Sequence, residues 1–289
     1  MIQGRIIKGV GGLYYVAVGT EVYECSARGK FRKSKLTPTV GDYVEITISD
    51  EQNKKGAVEK ILPRKNLLIR PRVANVDCAV IQFAAASPDI NFDLLDRFLI
   101  LVQTQNIENI IICINKSDLL TEETRTYMER VYAPFYDVVF TCATEKNGIE
   151  PLKEKLSGHV TVFAGPSGVG KSSLINEVMP HIERKTGEIS KKIQRGKHTT
   201  REVELLEYDE NTFIVDSPGF TSLSLDFIKP EELIDYFREF KPYLSGCYFN
   251  DCSHTAEPDC GLKAHVGKEL PIERYEKFKQ LYTELKQRR

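Results

Sequence analysis

The run VTVFAGPSGVGKSSLINEV (160–178) limits the folds open to this chain more than any other stretch. An apolar β-type segment leads into a turn with glycines at 165, 168 and 170, and a helical pattern follows at once. A strand, a glycine-rich turn and a helix in that order form half of a βαβ unit, which needs a parallel sheet to sit in. The turn itself matches the phosphate-loop pattern G-x-x-x-x-G-K-S. Gly165, Gly168 and Gly170 let the backbone curl so that its N–H groups face phosphate oxygens, and Pro166, Ser167, Val169 and Ser173 belong to the same phosphate-binding stretch. Lys171 reaches the outer phosphates and Ser172 offers a hydroxyl to Mg²⁺. The helix that follows points its positive end at the same charge.

The surrounding chain repeats the alternation. VDCAVIQFA (76–84), NIIICIN (109–115), DVVFTCA (137–143) and FIVDSPG (213–219) read as further buried strands. FDLLDRFLILVQTQ, TEETRTYMERVY and IEPLKEKLS carry apolar residues at helical spacing between them. A mostly parallel, doubly wound α/β sheet is expected over residues 66–225, with ligands at the carboxyl ends of its strands. Residues 1–65 differ. GRIIKGV, LYYVAVG, EVYECSA, DYVEITI and AVEKIL alternate apolar and polar positions between glycine turns, which suits a five-stranded, all-β OB-type barrel. Its loop ARGKFRKSK, with Arg28, Lys30, Arg32, Lys33 and Lys35, is either a solvated turn or an RNA contact. Residues 226–289 hold EELIDYFREF, a Cys/His cluster and a final amphipathic helix, PIERYEKFKQLYTELKQRR. That makes a third, mostly helical domain.

Two more loops fall at predicted strand ends. In Asn115-Lys116-Ser117-Asp118, Asp118 can accept hydrogen bonds from guanine's ring N–H and exocyclic amine, a donor pair that adenine lacks. Asn115 is expected to touch the base or brace the phosphate loop, and the Lys116 stem to cover the base. TCAT (141–144) is placed to support the guanine carbonyl. DSPG (216–219) supplies Asp216 for Mg²⁺ and the Gly219 amide for a γ-phosphate. Together these loops predict a site for GTP or GDP with Mg²⁺. Their order is unusual, because the base-reading loops precede the phosphate loop. A circular permutation accounts for this, and a sheet tolerates one when its original termini lie close together.

With the permuted order, the barrel and the Cys/His tail, the chain resembles the RsgA family of circularly permuted GTPases. NKSD, GPSGVGKSS, GKHTT, DSPGF and the tail spacing carry the resemblance. It implies a GTP hydrolase that acts late in assembly of the small ribosomal subunit. Stimulation by the subunit, contacts with its rRNA and with other assembly factors, and a monomeric state are expected. The GTP form is expected to bind, and hydrolysis to release.

Residues 187–201, GEISKKIQRGKHTTR, fit a switch loop that orders around Mg²⁺. Thr199 and Thr200 are both candidate Mg²⁺ ligands, and the GKHTT pattern favours Thr200. The position after the D-x-x-G glycine, where many GTPases carry a water-orienting Gln, is Phe220. Slow unaided turnover is therefore expected. His198 can replace that Gln as a catalytic group, beside Lys171 and Thr200, or it can contact only RNA or solvent. The resemblance favours catalysis.

Cys247, Cys252, His254 and Cys260 lie within fourteen residues, and three thiolates with one imidazole can close a structural zinc site. The resemblance implies the same four ligands. His265, farther along, is the weaker alternative. The other cysteines, at 25, 78, 113 and 142, read as buried apolar residues. No apolar run approaches the ~20 residues of a membrane span. The N-terminus lacks a secretory pattern, and the formal net charge of −1 argues against a wholly basic RNA-coating protein. A cytoplasmic location without membrane contact is expected.

Overall fold

A computed structural model describes residues 1–29, 31, 36–69, 71–180, 203–209, 211–216 and 224–288. The expectations for Lys30, Arg32, Lys33, Lys35, His198, Thr199, Thr200, Gly219 and Phe220 lie outside these residues.

Strands β1 (Ile2–Val10), β2 (Leu13–Val18), β3 (Glu21–Ala27), β4 (Tyr43–Asp50) and β5 (Lys55–Ile61) follow the five predicted runs. They pair in the order β1-β2-β3-β5-β4, and a β1–β4 ladder closes the ring. Only β3–β5 is parallel in this ring. Alternate residues point inward, so Ile6, Val16, Cys25, Val44, Ile46 and Val58 fill the interior with no exposure. A short hairpin, β6 (Leu67–Ile69) and β7 (Arg72–Ala74), leads out of the barrel. It packs so closely that a Cβ on Gly41 would lie 2.0 Å from the Ala74 carbonyl oxygen. Arg64 closes this junction, donating to both carboxylate oxygens of the fully buried Asp42 at 2.6 and 2.7 Å.

The second layer system contains β8 (Cys78–Ala84), α1 (Phe92–Thr104), β9 (Asn109–Asn115), α2 (Glu122–Val131), β10 (Asp137–Phe140), α3 (Ile149–Leu156), β11 (Val160–Ala164), α4 (Lys171–Val178), β12 (Glu204–Asp209) and β13 (Thr212–Asp216). The sheet order is β10-β9-β8-β11-β13-β12, parallel except for β12. Every residue of β8 is buried because helices cover both faces. Ala79, Ile81 and Phe83 share one core with α1 and α2, and Cys78 and Val80 share another with α3 and α4. Asn91 caps α1 by accepting from the Leu94 amide at 2.9 Å, and Thr121 caps α2 through the Thr124 amide at 3.2 Å.

The chain builds β8, β9 and β10 outward, then returns to lay β11 on the other side of β8. The loop after β11 therefore sits where the winding reverses, the place where such sheets bind ligands. A β1–β12 bridge, Lys8 opposite Glu204, joins the barrel to this sheet, and the Lys8 ammonium lies 2.9 Å from the Glu204 carboxylate.

The C-terminal part differs from a run of α-helices. EELIDYFREF lies across two 3₁₀ helices, Pro230–Tyr236 and Arg238–Gly246, the second containing Pro242, which cannot donate a helix hydrogen bond. The final helix α5 (Ile272–Gln287) is amphipathic as expected, and its inner face is deep core: Tyr275, Phe278, Leu281 and Leu285 pack with Phe237, Phe240 and the outer face of α1. Among the described residues, no helix is long and apolar enough to cross a membrane.

Candidate functional site

The predicted loops meet at one edge of the sheet, at the carboxyl ends of β9, β10, β11 and β13. The phosphate loop needs its glycines. Gly165, Gly168 and Gly170 have φ of 143°, 83° and 88°, where side chains are strained. A Cβ on Gly165 would also lie 2.0 Å from the Gln82 carbonyl oxygen, and one on Gly170 would lie 2.5 Å from Asn115 Nδ2. Gly170 starts α4, so Lys171, Ser172 and Ser173 occupy its first turn, with Ser172 and Ser173 exposed. The Lys171 ammonium donates to the carbonyls of Gly165 at 2.9 Å and Pro166 at 2.6 Å, and its partial burial lowers its pKa. It thus lies folded over the loop it serves.

Asn115 ends β9 and is buried. Its Nδ2 donates to the Val169 carbonyl at 3.0 Å, and its Oδ1 accepts from the Thr141 hydroxyl and the Ala143 amide, both at 3.3 Å. One side chain thereby ties the phosphate loop to the loop after β10. Lys116 adopts the left-handed conformation, φ 57° and ψ 43°, which turns the chain so that Ser117 and Asp118 enter a 3₁₀ turn. Its ammonium donates to the carbonyls of Ala86 and Ser87. The Asp118 carboxylate is exposed, and one oxygen accepts from the Cys142 thiol at 3.0 Å.

Two expectations are revised here. Cys142 is buried, as are Cys25, Cys78 and Cys113, yet it also orients the Asp118 carboxylate. The strand expected over 137–143 ends at Phe140. Residues 141–143 turn away, Cys142 pairs with Asn147, and Gly148 packs against the Phe140 carbonyl with φ 70°. Asp216 ends β13 exposed, beside the strand that carries Ser172's loop, so two of the predicted Mg²⁺ ligands share one edge. Sequence reasoning missed Gln82, a buried amide inside an otherwise apolar strand that donates to the Val169 carbonyl at 3.1 Å.

A second constellation lies in the C-terminal part. The ligand atoms of Cys247, Cys252, His254 and Cys260 all fall within 4.8 Å of one another. A tetrahedral zinc with ordinary bond lengths sets S···S near ~3.8 Å and S···N near ~3.5 Å. Cys247 and Cys260 sulfurs are 3.9 Å apart, and each lies 3.5 Å from His254 Nδ1. These residues fit the ion. Gly246 and Gly261 bring the ends of the cluster together, since a Cβ on Gly261 would lie 2.6 Å from the Gly246 carbonyl carbon. The Tyr275 hydroxyl donates to the His254 carbonyl at 2.9 Å, tying the cluster to α5. Without a metal, burial pushes the Cys252 thiol up to about 12, so a bound cation is what would hold it as thiolate. His265 lies outside the cluster, its ring tilted against Tyr243 at 4.3 Å between centroids and its Nδ1 2.9 Å from the Glu269 carboxylate.

The chain is similar to known proteins over its whole length. Family models described as RsgA GTPase and RsgA N-terminal domain match residues 61–226 and 3–58. The small ribosomal subunit biogenesis GTPase RsgA of Alkaliphilus metalliredigens is 50% identical over 100% of this chain and 99% of its own. The crystal structure of YjeQ from Thermotoga maritima superposes with a TM-score of 0.86 at 37% identity, covering 100% of this chain and 99% of that one. YloQ, a circularly permuted GTPase, gives 0.85 at 38% identity, covering 100% and 96%. By its permuted sheet, its barrel and its match over full length, the chain belongs to the RsgA GTPase family.

Proposed function

We infer that this protein hydrolyses GTP to GDP and phosphate and serves biogenesis of the small ribosomal subunit, on which its turnover depends. The observation that carries the reading is the convergence of NKSD, TCAT, the phosphate loop and Asp216 on one sheet edge, in a member of the RsgA GTPase family. The named activity of the Alkaliphilus relative supports the subunit as partner.

In this reading Asp118 selects guanine, and Asn115 braces the phosphate loop. The amides of that loop and the dipole of α4 receive the phosphates. Lys171 leaves its two carbonyls and turns to the β- and γ-phosphates. Ser172, Asp216 and Thr200 would hold Mg²⁺, which neutralises phosphate charge. The Gly219 amide meets the γ-phosphate. His198 orients a water for attack on the γ-phosphorus and takes up its proton, while the bridging oxygen leaves with GDP. Phe220 cannot orient water, so the unaided rate is slow. The barrel, with Arg28 and the basic residues after it, contacts rRNA.

The test is GTP turnover by the purified protein alone and with purified small subunits at low salt, with His198→Ala alongside. Stimulation by the subunit that falls by about 10²-fold or more in the variant is the expected result. Stimulation that survives removes His198 from the mechanism. Bound nucleotide with no stimulation removes the partner.

Cys247, Cys252, His254 and Cys260 would hold one zinc ion, which would pin the 247–260 loop and do no chemistry. Cys252→Ser is expected to lose the metal, measured by mass spectrometry of the native protein, and to lower Tm. Full metal content and an unchanged Tm in that variant would contradict the assignment.

A further inference from the structure

Val169 lies in the middle of the phosphate loop, and two buried side-chain amides hold its carbonyl: Asn115 Nδ2 at 3.0 Å and Gln82 Nε2 at 3.1 Å. Asn115 belongs to a recognisable motif. Gln82 belongs to none, and is a polar residue with 0% exposure in the middle of β8.

Its contacts span the loop. The Gln82 carbonyl oxygen is the atom that a Cβ on Gly165 would strike at 2.0 Å, and its Nε2 lies 4.0 Å from the place a Cβ on Gly170 would take. One strand residue thus bears on the first glycine, the central carbonyl and the last glycine. Its Oε1, by contrast, is buried with no hydrogen-bond partner among the described residues. An unsatisfied buried acceptor costs about 1–3 kcal/mol, whereas an apolar side chain of similar shape at this site would cost nothing of the kind. Core packing alone therefore gives no reason for an amide here.

The peptide plane supplies one. In a trans peptide the carbonyl of one residue and the N–H of the next point in opposite directions. Drawing the Val169 carbonyl down onto β8 aims the Gly170 N–H out of the protein, toward the space that the loop encloses. We propose that Gln82 is a positioning residue for nucleotide binding. It shares the Val169 carbonyl with Asn115 and holds the loop's amides ready for phosphate, at some expense of stability.

The inference rests on the nucleotide reading above. The experiment is equilibrium binding of fluorescent GDP to wild type and Gln82→Met, with GTP and IDP as competitors and Tm measured on the same samples. In Gln82→Met the dissociation constants for GDP and GTP are expected to rise together by about 5–10-fold, as loss of one buried hydrogen bond would give. The GDP-to-IDP preference stays unchanged because Asp118 is untouched, and Tm stays level or rises because the unpaired oxygen is gone. Unchanged affinity overturns the proposal. So does a fall in Tm with an altered GDP-to-IDP preference, which marks general damage. Gln82→Leu is measured in parallel, so that a misfit of one side chain does not decide the result. Wild type that binds no GDP would sink the nucleotide reading itself, a distinguishable failure.

Discussion

Asp118→Asn is expected to lower affinity for GDP and GTP by about 10²–10⁴-fold while raising affinity for xanthosine nucleotides. The Asp118 carboxylate is exposed, with one oxygen oriented by the Cys142 thiol at 3.0 Å. Two hydrogen bonds from guanine's ring N–H and amine to a carboxylate are charge-assisted, and each contributes about 1.5–3 kcal/mol. Asparagine replaces one acceptor oxygen with a donor. That donor meets guanine's amine head on, but it matches the carbonyl that xanthine carries at the same position. Competition of GDP and XDP for the two proteins reads the switch. A variant that still prefers GDP would show that Asp118 does not read the base.

The second large effect lies far from the nucleotide. Arg274, on the inner face of α5, is 2% exposed and bonds to Asp96 on α1 and, at 2.6 Å, to Glu239. Tyr132 donates to Asp96 at 3.1 Å and Tyr136 to Glu239 at 3.4 Å. The Arg274 guanidinium also lies 5.1 Å from the Tyr132 ring and 5.2 Å from the Phe237 ring. This buried network joins the C-terminal part to the nucleotide-binding sheet. Arg274→Ala leaves two buried carboxylates without their cation, and breaking a buried pair in this way costs about 3–5 kcal/mol. Urea unfolding at pH 7 measures the loss.

The pH dependence follows from Asp96. Burial raises its pKa, although Arg274 opposes the shift, so removing Arg274 raises it further. A carboxyl whose folded-state pKa exceeds its unfolded value favours the folded state at low pH and loses that contribution as pH rises. The deficit of Arg274→Ala is therefore expected to shrink as pH falls from 7 toward 5. A deficit that is small at pH 7, or that grows on acidification, would contradict this account of the network.

The sequence shows its strands most clearly where both faces are covered. β8 and β9 are apolar runs broken within β8 only by Gln82, and barrel strands such as β4 and β5 alternate because only one face is buried. The β6–β7 hairpin was not legible, since three-residue strands leave no period to count. Nor was β12, whose ELLEYD has only one fully buried residue. The nucleotide loops were readable because their chemistry demands particular residues at particular spacings. Gln82 and Arg274 were not, for a shared reason. Each is a polar residue whose meaning depends on partners distant in sequence: Val169 is 87 residues from Gln82, and Asp96 is 178 residues from Arg274. Local pattern assigns Arg274 to a solvated helix face, but tertiary pairing buries it.

The most direct test of the permuted nucleotide site is a crystal structure of the protein with GDP and Mg²⁺. The account predicts guanine against Asp118 with Lys116 across it, phosphates within the turn from Gly165 to Ser173, and Lys171 swung from its own carbonyls onto the β-phosphate. Nucleotide bound elsewhere, or seated with its base away from Asp118, would contradict it.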